Sequence, residues 1–137
     1  MKMLLLVLSA LPLVLVCQKE EARAAGWVVL DQSPAVVYMT PQNRFTPGRL
    51  TVRLGDTVEW INQSQASQTV TDDPANAPDP MRCTLPDGAA PFDSGSIKPG
   101  QAYRHTFEVP GTYRYYSATH QESGMIGEIT VLEASGT

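Results

Sequence analysis

Apolar residues in this chain recur at every second position over short runs, the period of strands that bury one face. Arg49 to Leu54 places Leu50, Val52 and Leu54 on one side and Thr51 and Arg53 on the other. After a Gly55-Asp56 turn the pattern resumes over Thr57 to Asn62, with Val58 and Trp60 inward. Tyr103, His105 and Phe107 share one face of a later run, Thr112 to Ser117 is rich in Tyr, and Ile126 to Leu132 sets Ile129 and Val131 together. Trp27 to Leu30, Ala35 to Met39 and Gln68 to Thr71 add shorter strand candidates, while Pro99-Gly100 and Pro110-Gly111 supply turns. No stretch has an amphipathic helical period. Seven or eight short strands with a turn about every ten residues predict an all-β sandwich or barrel.

Two segments break the alternation. Met3 to Val16 is an uncharged, Leu/Val-rich stretch of fourteen residues behind Met1-Lys2. It falls short of the roughly 20 residues that cross a bilayer and matches the core of a signal peptide. Val14-Leu15-Val16-Cys17 is similar to a bacterial lipoprotein box with Cys17 as the lipidated residue, although Val16 stands where a small residue is usual. Ala22-Arg23-Ala24 offers a cleavage site instead, and an uncleaved anchor over residues 3–16 is the third reading. Each reading predicts an extracytoplasmic domain, in the periplasm or on the outer face of a bacterial membrane. Residues 1–17 are then a signal or short anchor, 18–26 a polar tether and 27–134 the domain. The second break is a strandless insertion from Asp72 to Pro91, rich in Asp, Pro and Ala. Its Asp72, Asp73, Asp79 and Asp87 against Arg82 give a net charge of −3, which suits a solvated loop or a docking patch.

With 137 residues the chain has room for one domain. A net charge of −4, with Lys and Arg scattered singly, argues against a nucleic-acid binder. Cys17 and Cys83 are the two cysteines, so lipidation or removal of Cys17 leaves Cys83 a lone thiol, read first as a small buried hydrophobe.

Three segments in order, "LTVRLGDTVEWIN", "FDSGSIKPGQAYRHTFEVPGTYRYY" and "GMIGEITV", closely resemble the plastocyanin/azurin cupredoxins over Arg44 to Glu133. The resemblance implies a Greek-key β-sandwich. In that family one His opens an "HTV" strand, and a C-x2-H-x4-M loop supplies a Cys, a second His and a Met to a blue copper ion. Thiolate and imidazole suit both Cu(I) and Cu(II), with a weak axial thioether. This sequence keeps the spacing and changes the ligands. Gln68 opens Gln68-Thr69-Val70 where the first His belongs, and Ser117 stands at the Cys position. His120 and Met125 occupy the second His and the Met positions. A hydroxyl is a far weaker acid than a thiol and a hard donor, and a carboxamide oxygen is a poorer copper ligand than imidazole. The residues therefore predict a dismantled blue copper site, with no cofactor expected.

Cys83 with His120 and Met125 would make a soft alternative set suited to Cu(I). His105 reads as a core residue, and Met39 and Met81 read as packing. With His105 and His120 the only histidines, no Ser-His-Asp set is available, and no phosphate loop is present, so no enzyme is expected. The expected role is a binding or structural module, an accessory subunit attached to a membrane redox complex through a protein partner. The competing expectation is a copper electron carrier or copper-handling protein with a non-standard site.

Overall fold

The computed structural model describes residues 33–134. Seven strands among these residues form two sheets. One has the order β2-β1-β4-β5, built from Phe45–Thr46 (β2), Ala35–Met39 (β1), Thr57–Asn62 (β4) and Ala102–Thr106 (β5). The other has the order β3-β7-β6, from Arg49–Arg53 (β3), Ile126–Leu132 (β7) and Gly111–Tyr116 (β6). β1 lies parallel to β4 and β3 parallel to β7, while the remaining pairs are antiparallel.

The alternation in the sequence sets which side chains meet between the sheets. β4 buries Val58, Trp60 and Asn62, β3 buries Val52, and β7 buries Ile129 and Val131. Trp60 sits at the centre, its ring 5.4 Å from that of Tyr115 on the opposite sheet in an edge-on contact. Phe92 and Phe107 pack around it at 5.9 and 6.4 Å. This is the expected all-β sandwich with one continuous core.

Gly127 faces inward on β7, directly beneath the Tyr115 ring. A Cβ there would land on Tyr115 Cζ and Oη, with the ring held by Phe45 and Trp60. Gly127→Ala is therefore expected to destabilise the domain by about 1–3 kcal/mol through overpacking. Urea denaturation reads this directly, and an unchanged midpoint would contradict the packing described.

The structure differs from the sequence reading in several places. Gln68 to Thr71 is no continuous strand: Gln68 bridges Ile97, whereas Thr71 bridges Asp93 and Tyr116. The segment crosses between the sheets, so consecutive residues pair with different neighbours. The two-residue β2 was not foreseen, being too short to show a period. Met81 is 87 % exposed, not packed, because it tips the short 3-10 turn Pro80–Arg82. Met39 is buried as expected. The Trp27 to Leu30 strand, the signal or anchor over 1–17, the tether over 18–26 and Cys17 lie outside the described residues.

The 72–91 insertion lies along the free edge of β6. Thr71 and Tyr116 exchange two backbone hydrogen bonds, at 3.1 and 2.9 Å, and so do Thr84 and Arg114, at 3.1 and 2.8 Å. Tyr116 Oη donates to the carbonyl of Asp73 at 2.7 Å. Asp73 and Asp79 cap two 3-10 turns, accepting from Ala75 N and Met81 N, with Pro74 and Pro80 at the first turn positions. Local capping makes the turns, and β6 anchors them.

Candidate functional site

The four ligand-like positions come from two places in the fold. Gln68 lies on the crossing segment, and Ser117, His120 and Met125 lie on the loop joining β6 to β7. That loop is closed by its own backbone. His120 N donates to Ser117 O (3.0 Å), Met125 N to His120 O (3.1 Å) and Ser117 N to Met125 O (3.2 Å). A 3-10 turn over Gln121–Ser123 ends at Gly124, whose φ of 93° is the left-handed conformation that favours glycine. The crossing segment is laced to the loop, with Ala118 N donating to Thr69 Oγ1 at 2.7 Å and Thr69 N to Ser117 Oγ at 3.2 Å.

Gln68, Ser117 and His120 meet directly. Gln68 Oε1 accepts from Ser117 Oγ at 2.9 Å and lies 3.0 Å from His120 Nδ1. A carbonyl oxygen can only accept, so His120 Nδ1 carries the proton and donates. Thr119 Oγ1, 3.0 Å from the same Nδ1, lies 3.2 Å from Ser117 Oγ and can donate to it. The other end of the carboxamide is also fixed: Gln68 Nε2 donates to Asn43 Oδ1 at 3.0 Å and to Ser64 Oγ at 3.2 Å. Ser64 is tied in turn to the buried Asn62, whose Nδ2 donates to Ala66 O and Ile97 O, both at 2.8 Å. Gln68, Ser117 and Met125 are fully buried, and His120 is half-buried.

The residues do not fit a blue copper ion. Such a site needs a thiolate and two imidazoles pointing at one place. Here the carboxamide oxygen fills that place and already takes hydrogen bonds from the serine and the imidazole. The imidazole turns a proton, not a lone pair, toward it. Of the retained ligand positions, Met125 has its backbone tied to the loop and its side chain in the hydrophobic core.

Cys83 does not join the cluster. Its Sγ donates to Pro80 O at 3.3 Å, and the residue precedes Thr84, which pairs with Arg114 three positions before Ser117 on β6. The bridge is antiparallel, so Cys83 lies opposite Tyr115, two strand residues or roughly 7 Å short of Ser117. Burial raises the thiol's pKa above its ordinary value, and Asp72, Asp73 and Asp79 add to the rise, so it resists becoming a thiolate ligand. Among the described residues no three of His, Cys, Asp and Glu form a group that could hold a metal. His105 packs against Phe92 and Phe107, with ring centres 4.5 and 4.8 Å away, and burial lowers its pKa.

Gln121 gave no sequence signal, and Asp72, read as one acid of a solvated insertion, is buried instead. Gln121 is 1 % exposed and clamps the loop to the insertion: its Oε1 accepts from Asp79 N at 2.8 Å and its Nε2 donates to Asp79 O at 3.0 Å. Asp72 is fully buried; one carboxylate oxygen accepts from Phe92 N at 2.8 Å, and Oδ2 has no partner among the described residues. Burial, with help from Asp73, pushes its pKa up to about 6 against the bond from Phe92.

Comparison with known proteins accords with this geometry. Residues 39–132 match the family model described as copper binding proteins of the plastocyanin/azurin family. Plastocyanin of Scenedesmus fuscus is 31 % identical over 87 residues, covering 64 % of this chain and 85 % of its own. Plastocyanin of Nostoc punctiforme is 35 % identical over 92 residues, covering 64 % of this chain and 63 % of its own length. The chain spans 57 % of the chloroplastic plastocyanin of Tetradesmus obliquus at 29 % identity. Among solved structures, a reduced Cu(I) form of an amicyanin variant superposes with a TM-score of 0.58 at 30 % identity, covering 73 % of this chain and 83 % of that one. A Cu-containing nitrite reductase from Thermus scotoductus gives 0.59 at 27 % identity, over 74 % of this chain but 23 % of the enzyme. Sandwich, loop and sequence thus agree, and the chain belongs to the plastocyanin/azurin family.

Proposed function

We propose that this protein is a cupredoxin domain that serves as a binding or structural module, an accessory subunit of a redox complex outside the cytoplasm. One observation carries the reading: the Gln68 carboxamide sits where family members direct ligands at copper, with Ser117 and His120 both bonded to its oxygen. A sandwich stabilised by its aromatic core folds without an ion, so the family scaffold outlasts the family chemistry. No enzymatic role is assigned, because the cluster offers neither a base facing Ser117 nor an open position for a substrate. An extracytoplasmic location rests on the apolar Met3 to Val16 stretch and Cys17.

The test is copper reconstitution of the native protein followed by elemental analysis and redox titration. Substoichiometric, easily removed copper with no one-electron wave is the expected result. One tightly held copper per chain, lost on His120→Ala, would restore the competing role of copper carrier, which the retained His120 and Met125 favour. Extraction from native membranes is expected to bring a stoichiometric protein partner; a free monomer in every extract would count against the accessory role.

A further inference from the structure

Arg49, Arg82 and Arg114 are far apart in sequence, yet the fold brings them to one depression on the outer face of the β3-β7-β6 sheet. In register, Arg49 on β3 and Arg114 on β6 lie opposite Glu128 on β7, one on each side. Neighbouring strands are about 4.8 Å apart, so the two arginine backbones flank that of Glu128 on the same face of the sheet. Arg82 arrives from the insertion, which Thr84 fixes against Arg114. Gly48, Ile126 and Gly127 complete the lining of a cavity of about 350 Å³.

The ion pairs leave this cluster short of negative charge. Glu128 pairs with Arg114 at 3.3 Å, and Asp79, outside the lining, pairs with Arg82 at 3.1 Å. Arg49 has no ion pair among the described residues. The lining itself holds three guanidinium groups and one carboxylate, in a chain whose net charge is −4. Both existing pairs are solvent-exposed and so contribute little, on the order of 0–1 kcal/mol each, which leaves their arginines free to turn to a better anion. Guanidinium forks contributed by β3, β6 and the insertion suit an anion with three or more oxygens, and a doubly charged one offsets the repulsion from Glu128.

We propose that this depression is a binding site for a phosphate group, free or as a phosphomonoester, including the headgroup of an anionic phospholipid. It does not depend on how the ligand-like cluster is used, since it lies on the outer face of a different set of side chains.

The experiment uses the full chain in non-ionic detergent at low ionic strength, with inorganic phosphate titrated while the arginine Nε–H signals are followed by NMR. Saturable shifts at Arg49, Arg82 and Arg114, with Arg53 and Arg104 unmoved, are expected. Arg49→Gln is expected to weaken binding about 10-fold or more, as loss of a charge-assisted contact does. Glu128→Gln is expected to tighten it several-fold, a gain that misfolding cannot imitate. In a second arm, vesicles of phosphatidylcholine with and without phosphatidate are sedimented with the protein. Phosphatidate-dependent binding abolished by Arg49→Gln, with no response to free phosphate, identifies a lipid headgroup as the source. Unsaturable shifts spread over every arginine, no response in either arm, or native affinity in Arg49→Gln and Glu128→Gln would each overturn the proposal.

Discussion

The double variant Gln68→His with Ser117→Cys is expected to bind one copper per chain and to take on an intense visible colour, with the native protein expected to stay colourless under the same treatment. The reason is positional. Gln68 Oε1 lies 2.9 Å from Ser117 Oγ and 3.0 Å from His120 Nδ1, so the three residues already converge on one point. An imidazole at position 68 and a thiolate at 117 would replace neutral oxygen donors with the soft set that copper prefers. Even outer-shell partners of a metal are worth about 10–100-fold in affinity, so restoring two ligands should gain more than about 100-fold over the native chain. The metal-free variant loses the Gln68 bonds to Asn43 and Ser64 and should be less stable by about 1–3 kcal/mol, recovering on metal addition. Absorption spectroscopy and elemental analysis after reconstitution check both halves. A colourless, copper-free double variant would mean that the loop no longer presents its residues as the family does.

Asp72→Asn is expected to stabilise the protein at pH 8 by about 1–3 kcal/mol and to change little near pH 4. The carboxyl is fully buried with one oxygen unpartnered, and its pKa stands at about 6 against an ordinary 3.8. A raised carboxyl pKa means that the folded state holds the proton more tightly than the unfolded chain. Its favourable contribution is therefore complete below about pH 4 and is lost as the pH rises through 6. At about 1.4 kcal/mol per pH unit the full penalty is about 3 kcal/mol. Asparagine keeps an oxygen for the Phe92 N–H and carries no charge, though its own buried NH2 offsets part of the gain. Urea unfolding of both proteins at the two pH values isolates the effect, and equal differences at pH 4 and pH 8 would show that Asp72 is not the group that titrates.

Much of the fold could be read from residue order because its strands bury one face each. Val58 and Trp60, or Ile129 and Val131, announce their orientation by position alone. The ligand-like cluster was legible for another reason: its four positions keep the spacing of a known loop, so the substitutions stand out. What stayed hidden depends on contacts between distant segments. Arg49, Arg82 and Arg114 look scattered along the chain, and only strand register and the docking of the insertion make them neighbours. Asp72 reads as one acid in an acidic loop until Phe92 closes over it. Gln121 looks like a solvated loop residue, yet its carboxamide is spent on the backbone of Asp79, and periodicity carries no trace of such a bond.

The separations between paired strands bear on how this sandwich assembles. β3 must find β7 across most of the domain, and β4 must wait for β5 beyond the whole insertion. Apart from the two-residue contact of β1 with β2, β6 and β7 are the paired strands with the shortest link, the Ser117 to Met125 loop. Closing a short loop loses the least chain entropy, so this hairpin is the natural seed on which β3 and the insertion later collect. Whatever this loop does with a metal, it thus has work as the corner where folding begins, which ties its length and its left-handed Gly124 to assembly of the sandwich.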